Sequence, residues 1–137
     1  MLIIYDFTPR ITIFTDNITT LESLLIYAMK TILYQSDYLG NGFEFATINQ
    51  PDDYEGKVVA TVIRKQCSMP SNKAVLYVHG FNDYFFQSDM AHRFNEKEYH
   101  FYAIDLRKYG RSTLPHHKSN NMRSLTEYFA DLDEALE

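Results

Sequence analysis

One cysteine, Cys67, stands in a chain of 137 residues, and a lone thiol closes neither an intrachain disulfide nor a zinc knuckle. A secreted cysteine framework is thereby excluded and a reducing compartment favoured. Long apolar runs are missing as well. The longest, Leu24 to Met29, has six residues, whereas crossing a bilayer takes roughly 20. The opening Met1 to Asp6 has no basic start and no small-residue cleavage site, unlike a secretory signal, so a cytoplasmic address is expected. There is no basic stripe either. Lys and Arg total 13 against 18 Asp and Glu, a formal charge of −5, with the cations scattered; this argues against nucleic acid as a partner. Internal repeats, low-complexity tracts and Pro/Gly/Ser-rich linkers are also lacking. What is present, 45% apolar and 23% charged residues, suits one globular core, because a chain of this length typically buries about two thirds of the surface it exposes unfolded.

Hydrophobic spacing sets residues 1–42 apart as an N-terminal extension. Leu2 to Phe14 is rich in Ile, Phe and Thr but broken by Pro9, and reads as extended or unordered. From Thr19 to Gln35, Leu21, Leu24, Leu25, Ala28, Ile32 and Leu33 recur at helical spacing, with Thr19 and Glu22 as a capping box; an amphipathic helix is expected. Residues 43–137 read as strand, strand, strand, helix, strand, helix. The strands are Phe43 to Ile48, Lys57 to Lys65, Ala74 to His79 and Tyr99 to Leu106, with a turn at Pro51-Asp52-Asp53. Val58 to Ile63 is β-branched and partly alternating, as a half-exposed strand would be, while Ala74 to Val78 is apolar throughout, as in a strand covered on both faces. One helix is expected from about Tyr84 to Lys97, started by Asp83 and burying Phe86, Met90 and Phe94. A last one carries Leu125, Tyr128, Phe129, Leu132 and Leu136 on one face, and the run Asp131 to Glu134 reads as solvated. Strands giving way to alternation argue an α/β sheet flanked by helices.

Two of these strands end in residues that carry chemistry. Val75-Leu-Tyr-Val-His79-Gly80-Phe81-Asn82-Asp83 runs from a buried strand into a helix start, and Ala103-Ile-Asp105-Leu-Arg107-Lys-Tyr-Gly110-Arg-Ser112 follows another strand. Ligands of open α/β sheets sit beyond the carboxyl ends of the strands, and a glycine there lets backbone approach a ligand closely. His79-Gly80 followed by Asp105, Arg107, Gly110 and Ser112 resembles the α/β-hydrolase superfamily, in its serine-aminopeptidase and lysophospholipase-like branch, over residues 43–137. The resemblance implies the N-terminal half of that fold, with a mostly parallel sheet. It also implies that the backbone N–H of Phe81 is one donor of an oxyanion hole, and that His79, Gly80, Asp105, Arg107, Gly110 and Ser112 organise the loops around it. Asn82, Tyr84 and Phe85 are candidate pocket residues, although aromatics at a helix start are more often core.

The departure from the family pattern is equally informative. A Gly-x-Ser-x-Gly nucleophile elbow is absent; Gly110-Arg-Ser112 lacks the second glycine, so Ser112 is rejected as nucleophile. No catalytic residue is assigned within the chain, and the resemblance implies that the nucleophile, the acid and the catalytic His all lie beyond Glu137. It therefore implies the N-terminal portion of a serine hydrolase acting on a small carboxylic ester or amide (lysophospholipase-, monoacylglycerol-lipase- or esterase-like), inactive by itself. The alternative is a non-catalytic fragment that self-associates or complements a missing half. In the family the nucleophile strand pairs along one edge of the His-Gly strand, so Ala74 to Val78 is expected to present a bare edge that invites homo-oligomers. Adjacent His116 and His117 should point apart, with no carboxylate or cysteine at ligand spacing, so no metal is expected, and no cofactor. A nucleotide site would need several glycines in a Gly-x-Gly-x-x-Gly turn; His79-Gly80-Phe81 offers one.

Overall fold

The computed structural model describes residues 1–6 and 32–136. Six strands build one sheet: β1 (Leu2–Asp6), β2 (Gln35–Ser36), β3 (Glu44–Asp53), β4 (Gly56–Lys65), β5 (Lys73–Val78) and β6 (Tyr99–Asp105), in spatial order β1-β5-β6-β4-β3-β2. Helix α1 (Ser88–Glu96) links β5 to β6. A turn of 3-10 helix, Gly110–Ser112, follows β6, and α2 (Glu127–Leu136) comes last. From β3 onward the order is the expected strand, strand, strand, helix, strand, helix. Glu137, the position beyond which the catalytic groups are expected, lies outside the described residues.

The sheet is mixed and not mostly parallel. Only β5 and β6 pair in parallel, Lys73 with Tyr99 through Val78 with Ile104, and the other neighbours are antiparallel. Connection length explains this. α1 carries the chain back across the sheet between β5 and β6, whereas β3 and β4 are joined at Asp53↔Gly56 by the two-residue tip Tyr54-Glu55, and so short a loop permits only an antiparallel return. The turn expected at Pro51 to Asp53 is instead an irregularity within β3, where the register shifts between Gln50 and Asp53.

Alternation along the strands divides the core between the two faces. Val75, Phe101 and Ala103 join Phe43, Ile63, Phe85 and Ala91 of α1 on one side. Leu76, Val78 and Ile104 join Ala60, Leu106 and Tyr109 on the other, with Tyr128 and Leu132 of α2 packed over them. β4, expected half-exposed, is buried from Val58 to Ile63, because β3 and β6 flank it and both of its faces are covered.

Three further expectations change. α1 starts at Ser88, not Tyr84, because the Phe85 amide donates to Asp105 Oδ1 (2.8 Å) and its carbonyl accepts from Arg111 (2.9 Å), which ties residues 84–87 to the loop after β6. Of this pair, Phe85 is consequently fully buried and Phe86 is 51% exposed. Leu125, Phe129 and Leu136 are likewise exposed. The edge of β5 is not bare: β1 lies along it, Leu2 opposite Tyr77 to Asp6 opposite Lys73, and Val78 N–H donates to Met1 O (2.8 Å). The stretch read as an N-terminal extension thus supplies both outer strands. The helix expected over 19–35 lies outside the described residues except 32–35, where Gln35 belongs to β2.

Candidate active site at the carboxyl ends of β5 and β6

Because β5 and β6 are parallel, His79 and Asp105 emerge at the same end of the sheet. They meet through backbone: Leu106 N–H donates to His79 Nε2 (3.1 Å), and His79 Nδ1 lies 2.8 Å from the Gly80 carbonyl. An amide can only donate and a carbonyl can only accept, so Nε2 is the acceptor and Nδ1 carries the proton. Both ring nitrogens are engaged, and the imidazole packs at 4.7 Å from the Tyr109 ring. His79 holds the two loops together and has no lone pair free for proton transfer.

Asp105 is wholly buried and satisfied by two backbone amides and a guanidinium. Its Oδ1 accepts from Phe85 N–H, and its Oδ2 accepts from Arg111 N–H (3.0 Å) and the Arg111 guanidinium (2.8 Å). Arg111 also forms a two-pronged pair with Asp37 at 2.7 and 3.0 Å. Burial disfavours its charge, but the two carboxylates outweigh that and hold the guanidinium more firmly protonated than usual. Gly110 is essential here. At φ +43°, a Cβ on it would lie 2.5 Å from Asp105 Oδ2 and 2.7 Å from Tyr84 Cβ, far inside contact distance. Ser112 is buried, donating to the Asp105 carbonyl (2.7 Å) and facing the Thr61 hydroxyl (3.0 Å), a seam-closing role.

Arg107 makes a buried ion pair with Asp131 of α2: its guanidinium lies 2.8 Å from Oδ1 and its own N–H 2.9 Å from Oδ2. Asp131, read from sequence as solvated, is 0% exposed. Burial pushes its carboxyl up, against the lowering effect of Arg107. The neighbouring Lys108 reaches the β3–β4 tip, 2.5 Å from Asp53 and 2.7 Å from Glu55. Burial opposes the ammonium, yet the two carboxylates raise its pKa. In turn Lys108 holds Asp53 low despite burial, and holds Glu55 low directly. His116 and His117, expected to diverge, both bring Nε2 to the Lys57 carbonyl, at 3.0 and 2.8 Å. Among the described residues no group of three or more His, Cys, Asp or Glu is placed to hold a metal, and no helix is long and apolar enough to cross a membrane.

Against this braced loop, the turn at Phe81-Asn82 is open. No described residue accepts from the Phe81 amide, and its ring is 75% exposed. Beside it lies an apolar hollow of about 480 Å³, walled by Val78, Gly80, Phe81, Leu125, Phe129 and Leu132 among others. A second cleft, of about 680 Å³, includes Asn82 and Tyr84. Asn82, Lys108 and Asn120 all adopt left-handed backbone there, and the Asn120 amide donates to Asn82 Oδ1 (2.8 Å). Phe85 lines neither space; it is core.

The family described as serine aminopeptidase S33 matches residues 69–137, half of the chain. The chain belongs to that family. Comparison with curated proteins and with solved structures gives no significant match. The serine aminopeptidase match spans β5, α1, β6 and α2, the elements that carry both loops and the α2 ion pair, so it covers the region where the two cavities open. Asp105, Gly110 and Ser112, named in the sequence as loop organisers, lie in contact around the loop after β6; Asp37, Arg111 and Asp131, which complete its ion pairs, were not named there as site residues. Arg111 stood inside the motif itself and was a legible signal; its partners were not.

Proposed function

We propose that this chain forms the oxyanion side of a serine-type hydrolase acting on small carboxylic esters, in the manner of lysophospholipases, monoacylglycerol lipases or esterases, or on small amides. The observation that carries this reading is the Phe81 amide, without an acceptor among the described residues, at the carboxyl end of β5 and the mouth of an apolar hollow, in a chain of the S33 family. A serine hydroxyl attacks the substrate carbonyl, an imidazole takes its proton and an acid orients that imidazole. The carbonyl oxygen gains the negative charge, which the Phe81 N–H and the amide after the nucleophile stabilise; one such donor is typically worth about 2.7 to 4 kcal/mol. The hollow receives the apolar side of the substrate.

None of the 137 residues forms a Gly-x-Ser-x-Gly elbow, and Ser112 is buried with its hydroxyl committed to Asp105. The nucleophile, with its acid and imidazole partners, is therefore supplied by polypeptide other than Met1 to Glu137, and this chain alone is inactive. The single free thiol fits a reducing, cytoplasmic setting. A fluorophosphonate probe tests the reading. It should label a longer protein containing this sequence at one serine and leave the 137-residue chain unlabelled, and labelling of any serine within residues 1–137 would overturn the division of labour.

A further inference from the structure

The two margins of the sheet are finished differently. β2 ends one side as a strand of two residues, Gln35–Ser36, too short to template a neighbour. β1 ends the other side with five, Leu2–Asp6, and its outer side pairs with no described strand. Edge strands of soluble proteins are commonly blunted by a charge, a proline or a bulge. From Leu2 to Tyr5, β1 has none of these: the run is Leu-Ile-Ile-Tyr, its register on β5 is unbroken, and Leu2 and Ile4 are 48% and 62% exposed. Exposed Met1 also lines the apolar hollow with Leu125 and Phe129, so apolar surface continues from this strand toward α2.

The hydrogen bonds to β5 fix which backbone groups of β1 face outward. Met1 and Val78 exchange both bonds: the Met1 amino group donates to the Val78 carbonyl (2.7 Å), and Val78 N–H donates to the Met1 carbonyl (2.8 Å). Such pairs alternate along an antiparallel ladder, so Ile3 and Tyr5 also turn their N–H and C=O toward β5, while Leu2, Ile4 and Asp6 turn theirs away. An antiparallel second copy of β1 matches every outward group in one register. With Ile4 opposite the partner's Ile4, Leu2 faces the partner's Asp6 and Asp6 faces the partner's Leu2. The same register sets the two exposed Ile4 side chains together as a β-branched cross-strand pair and keeps the two Asp6 positions at opposite ends of the joint; a joint centred on Asp6 would set like charges directly opposite, which is destabilising.

We propose that this margin is a homodimer interface, in which two copies of the chain join through their β1 strands about a two-fold axis at Ile4 to make one continuous sheet. The interface goes beyond the hydrolase reading and does not depend on it. A joint of one short strand is smaller than the roughly 1,200–2,000 Å² of a standard stable interface, so dimerisation is reversible, with a Kd of about 0.1 mM. A contact of this symmetry closes at two copies, and the short β2 margin offers no second one. Sedimentation velocity of the 137-residue chain between about 10 μM and 1 mM should show monomer passing into dimer and nothing larger. Ile4→Lys, at an exposed position, sets two ammonium groups opposite each other at the axis and should weaken association at least about tenfold, with circular dichroism reporting that the variant is folded. Register is read separately by oxidative cross-linking in a Cys67→Ser background: Ile4→Cys should form a disulfide-linked dimer, and Leu2→Cys, whose copies lie four positions apart in this register, should not. A monomer throughout the concentration range, growth beyond the dimer, unchanged association of folded Ile4→Lys, or cross-linking at Leu2 as readily as at Ile4 would overturn the interface.

Discussion

The loops that leave β5 and β6 start side by side at the same end of one sheet, and they are held by opposite means. The loop after β6 is fixed at nearly every residue: Asp105 by two amides and a guanidinium, Arg107 by Asp131, Lys108 by two carboxylates, Ser112 by a carbonyl and a hydroxyl. The loop after β5 is fixed at His79 and then opens into the exposed turn at Phe81. One loop is scaffold, and the other presents backbone to a cavity. The proposed oxyanion donor would need both, because preorganisation requires a rigid base and access requires an unclaimed N–H.

The sharpest way to break this comparison is to remove the partner that docks α2 on the rigid loop. Asp131→Ala leaves the Arg107 guanidinium buried without a counter-charge, and breaking a buried pair on one side typically costs about 3–5 kcal/mol. For a chain of this size that is a large share of total stability. Urea denaturation should show it as a drop in midpoint with an unchanged slope. Arg107→Ala with Asp131→Ala should recover part of the loss, because the stranded charge is gone. A loss below about 1 kcal/mol for Asp131→Ala would mean that Arg107 reaches water and that the loop is less constrained than its contacts imply.

Next in size is Gly110→Ala. The added methyl meets the fixed Asp105 carboxylate and the Cβ of Tyr84, neither of them the far end of a flexible side chain, and the backbone is left-handed. Overpacking and the conformational penalty together come to about 2–4 kcal/mol. Thermal unfolding should show a clear downward shift. A wild-type midpoint would show that Tyr84 and Asp105 can move apart, and with them the wall of the cleft.

How much of this was legible in the sequence follows from the range over which each signal acts. Asp105, Gly110 and Ser112 stand in one short stretch, so the family resemblance picks them out together, and in the structure they contact one another. Asp131 is 24 positions from its partner Arg107 and Asp37 is 74 from Arg111; a carboxylate among carboxylates gives no sign that one of them faces inward. The aromatic run Tyr84-Phe85-Phe86 has no periodicity to say which ring is core, and the tie from Phe85 to Asp105 decided it. The mixed sheet was legible in principle from the two-residue tip between β3 and β4. The strand Leu2–Asp6 was too short for its apolar pattern to name a partner, and the open edge of β5 selected it.

The smallest expected effect is also the most diagnostic. Gly80 sits in the His-Gly step after β5, where the family resemblance implies a loop organiser. Its backbone is not in the left-handed region, and a Cβ built on it meets nothing within 4 Å, so Ala is sterically admissible. Gly80→Ala should change stability by no more than about 0.5 kcal/mol, the usual range for an unconstrained exposed site, while Gly110→Ala in the same denaturation series is severely affected. If the two glycines cost the same, the loop after β5 is as tightly packed as its neighbour and the contrast between scaffold and presenting loop fails. If Gly80→Ala is silent in stability, the glycine is free of any folding requirement, and the scaffold and the presenting loop are distinguished by one substitution each.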